Sequence, residues 1–326
     1  MKSGKRAGLA MMGLCMALYG GAGSVLAQDG DKQWPESQDP IKISLINYSG
    51  QNVLSYIYGK VLQKIGYNVE YVSADYIGQW TGIAAGDIDV GIDMWETTTR
   101  DVMRKHVQAG DVLNMGPQAG PIWETWWYPS YVKEVCSGLP DWTALKEPGC
   151  VKALATAETA PKANLITGPV EWNLGDKERI DALGLDFEVT NAGGDAALMA
   201  VMSGMIERKQ PFIGFAWFPH WFPLKYEGEF VRLPVYEPGC ASDPAWGLNK
   251  EKTGDCEMPS GYTWKVAWPG GETKWPKAYK VLRVFRMDHE SMAKLVTRSD
   301  NDKLGAEATA DEWIAQNEDV WRDWLK

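Results

Sequence analysis

The chain has 326 residues, of which 45% are hydrophobic and 23% are charged, and its formal net charge is −10. This length is long for a single compact core, so two lobes are expected, and the composition is that of an ordinary globular protein. An acidic chain is a poor candidate for binding nucleic acid or an anionic membrane surface.

The N-terminus has the pattern of a secretory signal peptide. Lys2, Lys5 and Arg6 precede an apolar run that ends in small residues before Ala27. Cleavage after Ala27 is predicted, which would give an exported, periplasmic product. Because residues 1–27 carry three basic and no acidic side chains, the net charge of that product becomes −13.

The first ordered unit predicted after the signal peptide is β-α-β. Residues 28–40 are polar, contain two prolines and are predicted to be a flexible leader. A strand from Ile41, a helix over 53–65 and a strand over 68–72 then imply a parallel sheet. The loop at 48–52 would lie where free amides can receive a negatively charged ligand group, or can simply start a capped helix.

Several later strands are predicted to end in tryptophan. A strand over 88–95 ends at Trp95, and the apolar run before Trp172 ends in a similar turn. The run PFIGFAWFPHWF over 211–222 places Trp217 at a strand end. Such aromatics either fill a core or line a pocket.

The predicted lobes are discontinuous in sequence. We assign residues 41–122 and 236–326 to the first lobe and residues 123–235 to the second. The aromatic, extended segment GPIWETWWYPSYV suits a crossing between them. The C-terminal tryptophans recur at helical intervals and are predicted to be core residues of the first lobe.

Four cysteines remain after the predicted cleavage, and in an exported protein an even number of them should be oxidised. Three pairings are possible, and sequence proximity favours Cys136–Cys150 and Cys240–Cys256. A zinc site is disfavoured because the spacings lack the C-x-x-C form.

The second cysteine pair would close a Gly/Pro-rich excursion over 237–271, which is predicted to be a surface hairpin. Within it, Asp243 and Asp255 could supply oxygens to a structural calcium ion, although no EF-hand spacing is present. No other metal or cofactor is predicted.

The 17 tryptophans of the chain are too many for routine core filling. Trp95, Trp172 and Trp217 follow strands assigned to different lobes, and Tyr48 and Trp127 are placed similarly. A cleft between the lobes would bring these rings together. Such a cage suits a methylated ammonium group, which has no N–H to donate and is attracted to π faces.

Polar residues near these rings could bind the rest of such a ligand. His220 and the amides near Ser49 and Gly50 are candidates for its negative or polar end. Glu124 and Glu171 are flanked by tryptophans and could offset its positive charge, or could be ordinary surface acids.

The motifs GDIDVGIDMW, TGPVEW and FAWFPHW resemble those of the periplasmic glycine betaine, choline and related methylated-amine binding proteins of ABC importers. The resemblance covers residues 41–325. It implies a two-lobed type II α/β fold, with a mostly parallel sheet in each lobe and the ligand cleft between the lobes. It also implies a monomer that delivers a small methylated amine to a permease and catalyses nothing.

In these relatives the tryptophans that match Trp95, Trp172 and Trp217 form the walls of the aromatic box. Tyr48 matches an aromatic residue that completes the box in choline-binding members, and the residue that matches His220 contacts the carboxylate in some betaine binders.

Two departures from the family pattern bear on the ligand. Gly50 stands where choline binders carry an acidic residue, and Trp172 lacks the flanking cysteines of some betaine binders. The excursion over 237–271 also marks a subgroup. The ligand could therefore be glycine betaine, choline or a smaller amine such as trimethylamine N-oxide, whose oxygen needs a smaller pocket than a carboxylate does.

The composition is compatible with two other functional classes. A sugar or peptide receptor could use the same cleft, but it would need many Asp, Asn and Arg side chains beside the rings. An enzyme is disfavoured because the sequence has three histidines and shows no Ser/His/Asp set, no H-E-x-x-H and no phosphate loop.

Overall fold

Nine β-strands form a single mixed sheet in residues 34–326, the part of the chain that this computed structural model describes. The predicted signal peptide, residues 1–27, and the first residues of the predicted leader lie outside that part. Among residues 34–326, no helix combines the length and the apolar character that crossing a bilayer requires.

The strands alternate with helices along most of the chain. The strands are β1 (Ile41–Leu45), β2 (Val69–Ser73), β3 (Val90–Trp95), β4 (Leu113–Pro129), β5 (Ala163–Thr167), β6 (Phe187–Asn191), β7 (Ile213–Phe218), β8 (Gly228–Phe230) and β9 (Gly261–Ala267). The α-helices are α1 (Ser49–Lys64), α2 (Gly78–Ala85), α3 (Glu96–Ala109), α4 (Pro148–Leu154), α5 (Asp176–Leu183), α6 (Asp195–Glu207), α7 (Trp221–Lys225), α8 (Gly271–Lys274), α9 (Pro276–Val284), α10 (His289–Val296), α11 (Ala306–Gln316) and α12 (Glu318–Asp323).

The strand order is β2-β1-β3-β9-β4-β7-β5-β6, with β8 beside β4. Strands β2, β1 and β3 run parallel at one end, and β7, β5 and β6 run parallel at the other. The strands between these two groups, β9 and β4, are antiparallel to their neighbours. The predicted two-lobed α/β architecture is confirmed. We call the half around β1–β3 and β9 lobe 1, and the half around β5–β7 lobe 2.

Strand β4 connects the two halves of the sheet. Its first part pairs with β9, from Leu113 to Ile122, and its second part pairs with β7, from Trp123 to Trp127. Most of the extended aromatic segment predicted here is thus part of one continuous strand of 17 residues.

Helix α1 buries one apolar face against lobe 1. Val53, Ile57 and Val61 are fully buried, as their spacing predicts. The helix begins at Ser49, four residues before the predicted start, so the predicted open loop at 48–52 is wrong in its extent. The polar first turn is stabilised from outside, because the backbone N–H of Ser49 donates to the carboxylate of Asp195 at 2.9 Å.

The C-terminal helices pack on lobe 1, as predicted. Trp321 and Trp324 belong to the hydrophobic core around α1, and Trp313 packs against it. The Trp313 and Trp324 rings stack with centroids 5.6 Å apart, and Nε1 of Trp321 donates to the carbonyl of Ile314 at 3.0 Å.

Both predicted disulfides are present. Cys136 bonds Cys150 with their Cα atoms 4.8 Å apart, and Cys240 bonds Cys256 with their Cα atoms 6.4 Å apart. The first bond lies in the core of lobe 2, and the second ties down a segment that has no regular strand.

The predicted surface hairpin over 237–271 is wrong in its second half. Residues Gly261–Ala267 are β9, which lies in the middle of the sheet between β3 and β4. The first half is an irregular loop that docks on α5 of lobe 2. There the backbone carbonyl of Cys256 accepts from Nε of Arg179 at 2.8 Å, and Asn249 donates to the carbonyl of Ala182 at 3.0 Å.

The two aspartates considered as calcium ligands organise this loop instead. Asp243 accepts from the backbone N–H of Ala245 at 2.9 Å, and Asp255 accepts from that of Asn249 at 2.8 Å. Within residues 34–326 no group of three or more His, Cys, Asp or Glu side chains could hold a metal ion. Residues 34–326 therefore provide no set of side chains that could bind the calcium ion considered above.

The described part of the predicted leader packs on lobe 1. The hydroxyl of Tyr67 and the backbone N–H of Lys277 both donate to the carboxylate of Glu36. The ammonium group of Lys277 lies 4.4 Å from the centre of the Trp34 ring. From Trp34 onward the segment is therefore held by specific contacts, which its polar composition did not predict.

Candidate functional site

The carboxyl ends of five strands, β1, β2, β3, β5 and β7, surround a small cavity of about 30 Å³. This position between the halves of an open α/β sheet is where such folds bind ligands. The lining side chains are Tyr48, Tyr76, Trp95, Glu124, Trp172, Leu174, Phe215 and Trp217.

Four of the predicted rings form the walls of this cavity. The Tyr48 ring is nearly perpendicular to those of Trp95, Trp172 and Trp217, with centroids 6.1, 6.4 and 5.9 Å away. The rings of Trp172 and Trp217 lie 5.6 Å apart at 83°. We call these four residues the aromatic cage.

Trp172 is held in the cage by a contact with lobe 1. It ends a short 3₁₀ turn, Val170–Trp172, that follows β5. Its Nε1 donates to Oδ1 of Asn47 at 3.2 Å, and Nδ2 of Asn47 donates to Glu171 at 2.7 Å. Glu171 is thus exposed and engaged outside the cavity, so the structure does not bring it to the cage as a counter-charge.

Trp95 is the last residue of β3 and is accompanied by a buried acid. Its Nε1 lies 3.4 Å from Oδ2 of Asp93. Burial raises the pKa of Asp93 to about 6, while the Thr263 hydroxyl and Trp95 act in the opposite direction. Sequence reasoning missed Asp93, although the period of a strand places it on the same side as Trp95.

Glu124 lies in the cavity wall. It is directly opposite Trp217 in the pairing of β4 with β7, so both side chains are on one face of the sheet. Burial raises the pKa of Glu124 to about 7, and the Thr97 hydroxyl opposes this shift. The carboxyl is therefore near its midpoint at neutral pH.

Several buried polar atoms beside the cavity have no hydrogen-bond partner within residues 34–326. They are the hydroxyl of Tyr48, Nε1 of Trp217, Oε1 of Glu124 and Oδ1 of Asp93. Burial, together with the charges of Asp93 and Asp195, raises the pKa of Tyr48 well above its usual value, so its hydroxyl stays protonated. Buried polar groups are normally paired, so this concentration indicates a place for a polar ligand.

The amide of Ser49 is not free to receive a ligand, contrary to expectation. Asp195 of lobe 2 accepts from it, and the Ser49 hydroxyl lies 2.5 Å from oxygens of both Asp195 and Asp300. Burial and the neighbouring Asp195 raise the pKa of Asp300 to about 6. This cluster joins the two lobes beside the cage.

His220 does not line the cavity, contrary to expectation. It is fully buried behind the cage, with its ring centroid 4.4 Å from that of Trp217. The chain turns after β7, and His220 becomes the N-cap of α7, where Nδ1 accepts from the backbone N–H of Phe222 at 3.3 Å. Burial lowers its pKa to about 3, so the ring is neutral and supports Trp217.

Trp127 also lies outside the cavity. It packs on Phe212 and Phe222, with ring centroids 6.1 and 5.2 Å away. Side chains alternate along a strand, so a residue three positions after Glu124 points to the other face of the sheet. Trp221 likewise packs in the core beside Phe222 and does not line the cavity.

Sequence reasoning missed three lining residues, Tyr76, Leu174 and Phe215. Tyr76 follows the carboxyl end of β2, and its hydroxyl bonds that of Thr98 at 2.6 Å. Phe215 lies two residues before Trp217 on β7 and therefore faces the same side. The strand-end rule and the strand period could have found these two, but no signal singles out Leu174.

A protein family and a sequence relative each match most of this chain. Residues 39–316 match the OpuAC family, described as the substrate binding domain of ABC-type glycine betaine transport system. The trimethylamine N-oxide-binding protein of Pelagibacter ubique (strain HTCC1062) is 29% identical over 309 residues, which are 93% of this chain and 96% of that protein.

Two solved structures share the fold. Lactococcal OpuAC, in its closed-liganded conformation complexed with glycine betaine, has a TM-score of 0.66 at 15% identity, over 88% of this chain and 100% of that one. An ABC-transporter choline binding protein in complex with choline has a TM-score of 0.68 at 17% identity, over 89% and 93%. At these identities the likeness concerns the fold alone.

Proposed function

The chain belongs to the OpuAC family, the substrate-binding domains of ABC-type glycine betaine transport systems, and on that premise we propose that its aromatic cage binds a small methylated amine for import. Acting as a monomer, the protein would close its lobes on the ligand and deliver it to a permease. It would catalyse no reaction. Within this ligand class, trimethylamine N-oxide fits the site best.

The observation that carries this proposal is the arrangement of four rings around one small cavity. Tyr48, Trp95, Trp172 and Trp217 present aromatic surfaces on several sides, which suits a group whose positive charge is spread over methyl groups. Each such contact contributes about 0.5–2 kcal/mol, so several together can support micromolar binding after the costs of association. The carboxyl of Glu124 can offset the positive charge.

The unpartnered donors beside the cavity favour an amine oxide. The Tyr48 hydroxyl and Nε1 of Trp217 can both donate to the oxygen of trimethylamine N-oxide. The 29% identical relative is itself a trimethylamine N-oxide-binding protein.

The same proposal includes export to the periplasm with cleavage after Ala27. Its support is the basic-then-apolar N-terminus and the two disulfides, which persist in oxidising compartments. N-terminal sequencing of the protein recovered from the periplasm should give Gln28 first, and recovery of the uncleaved chain from the cytoplasm would contradict the proposal.

A thermal-shift screen of the purified mature protein tests the ligand class. We expect trimethylamine N-oxide, glycine betaine and choline to raise the melting temperature, because a ligand that binds only the folded state stabilises it. The shift should be largest for trimethylamine N-oxide and smallest for choline. Maltose and a dipeptide serve as controls. A shift with either control and with no methylated amine would instead support a sugar or peptide receptor.

The raised pKa of Glu124 predicts pH-dependent binding. A bound cationic nitrogen favours the ionised carboxylate, so the affinity for the ligand should rise as the pH increases to about 7 and level off above it. In the rising range a proton should be released on binding. A shift of one pKa unit corresponds to about tenfold in affinity. Calorimetry in two buffers with different ionisation enthalpies measures both effects.

The matched variant for this prediction is Glu124→Gln, which keeps the size of the side chain and removes its charge. The affinity of this variant for the ligand should be lower than that of the wild type at pH 8.5. It should not change over the pH range in which the affinity of the wild type rises. If the affinity of the wild type falls as pH rises, Glu124 instead donates a proton to the oxygen of the ligand.

A further inference from the structure

Two glycines lie directly against rings of the aromatic cage, one in each lobe. Gly50 is the second residue of α1, and a methyl carbon placed on it would lie 2.5 Å from Cζ of Tyr48. Gly168 follows β5, and a methyl carbon there would lie 2.7 Å from Cζ3 of Trp172. A Cβ atom essentially never approaches a non-bonded atom within 3.0 Å, so a side chain at either position would displace a ring.

The backbone does not account for either glycine. Neither residue has the positive φ that favours glycine over other residues. Gly50 is inside a helix, where alanine is more favourable than glycine. At both positions, the close approach of a ring is therefore the feature that leaves no room for a side chain.

The displaced rings are walls of the cavity. Tyr48 and Trp172 line the cavity, whereas Gly50 and Gly168 do not, so a side chain on either glycine would act on the cavity through a ring. Tyr48 and Trp172 are 5% and 7% exposed and are held by neighbouring aromatic rings. To reach an ordinary contact of 3.4 Å, a ring would have to move by about 1 Å.

We propose that Gly50 and Gly168 are positioning residues that set the inner dimensions of the cage and so its selectivity for compact methylated amines. This inference rests on the proposed function. Because both rings line the cavity, a movement of about 1 Å by either one changes the space left between the rings. The loss should be greatest for ligands that are longer than trimethylamine N-oxide, such as glycine betaine.

The test uses Gly50→Ala and Gly168→Ala with two matched controls. Gly149 is the second residue of α4, as Gly50 is of α1, and Gly193 lies in a loop, as Gly168 does. A methyl carbon on either control glycine would have no atom within 4 Å, and neither has a positive φ. Calorimetric dissociation constants for trimethylamine N-oxide and glycine betaine, and melting temperatures, are measured for all variants.

We expect each cage variant to lose at least tenfold in affinity for trimethylamine N-oxide and more for glycine betaine, so that the ratio of the two constants changes. The controls should stay within twofold of the wild type with an unchanged ratio. A general loss of folded protein would leave that ratio unchanged, so the ratio separates a role in the cage from a role in stability.

Crystal structures of the two cage variants provide a readout that does not depend on the ligand. The Tyr48 ring in Gly50→Ala and the Trp172 ring in Gly168→Ala should be displaced by about 1 Å. Unmoved rings, or wild-type affinities and ratio in both variants, would overturn the inference. If the wild type binds no methylated amine, the proposed function fails, and the ring positions still decide whether the glycines hold the rings.

Discussion

Trp217→Ala is expected to lower the affinity for trimethylamine N-oxide at least tenfold. Trp217 contacts the rings of Tyr48 and Trp172, and its Nε1 is one of the two donors available to the oxygen of the ligand. One cation–π contact contributes about 0.5–2 kcal/mol, and 1.4 kcal/mol corresponds to tenfold in affinity. Titration calorimetry of the folded variant measures the loss.

The control for this substitution is Trp123→Ala. Trp123 is 40% exposed and stacks on Phe218 at 4.4 Å, and it does not line the cavity. Its removal should change the dissociation constant less than twofold. Trp217→Phe keeps a ring and loses the Nε1 donor. Its affinity for trimethylamine N-oxide should therefore lie between those of Trp217→Ala and Trp123→Ala. An unchanged affinity in Trp217→Ala would make this residue a core residue only.

Arg179→Leu is expected to destabilise the protein by about 3–5 kcal/mol, because it leaves the buried carboxylate of Asp176 without an opposite charge, with only Trp126 and Thr167 donating to it. Arg179 and Asp176 are 7% and 5% exposed, and Nη1 of Arg179 lies 3.1 Å from Oδ1 of Asp176. Arg179 also donates to the carbonyl of Cys256, so the substitution releases the disulfide-closed loop from α5. Equilibrium unfolding in urea measures the free energy.

Lys162→Ala is the control for the buried ion pair. Lys162 and Glu188 form an ion pair at 2.6 Å, but both side chains are exposed to solvent. Exposed pairs contribute little, so this variant should unfold at the same urea concentration as the wild type. A similar stability of the two variants would mean that the Arg179–Asp176 pair is not an important part of the lobe 2 core.

The cage was largely predictable because its position follows from a general property of open α/β sheets. Ligands bind at the carboxyl ends of the strands, and Tyr48, Trp95, Trp172 and Trp217 all stand at or just after such ends. The local strand patterns therefore fix which aromatics reach the same edge of the sheet.

The predictions that failed needed information that strand ends do not carry. The sequence pattern assigns Trp127 to the cage, although its position relative to Glu124 places it on the opposite face of β4. The pattern assigns His220 to the ligand, but the chain turns after β7 and folds its side chain back as a helix cap. Both outcomes depend on local geometry beyond the end of the strand.

Long-range contacts explain the remaining differences. Strand β9 contains strand-forming residues but lies in a Gly/Pro-rich stretch, and its central place in the sheet follows only from its pairing with β3 and β4. The early start of α1 depends on Asp195, which is 146 positions from Ser49 in the sequence. No pattern within either segment could indicate these partners.

Calorimetric titration of the wild-type mature protein with trimethylamine N-oxide tests the central claim most directly. A cage of four rings with free donors predicts one site per chain with a dissociation constant in the micromolar range or below, together with weaker binding of choline. If no methylated amine binds more tightly than millimolar, the aromatic cage is not a methylated-amine site.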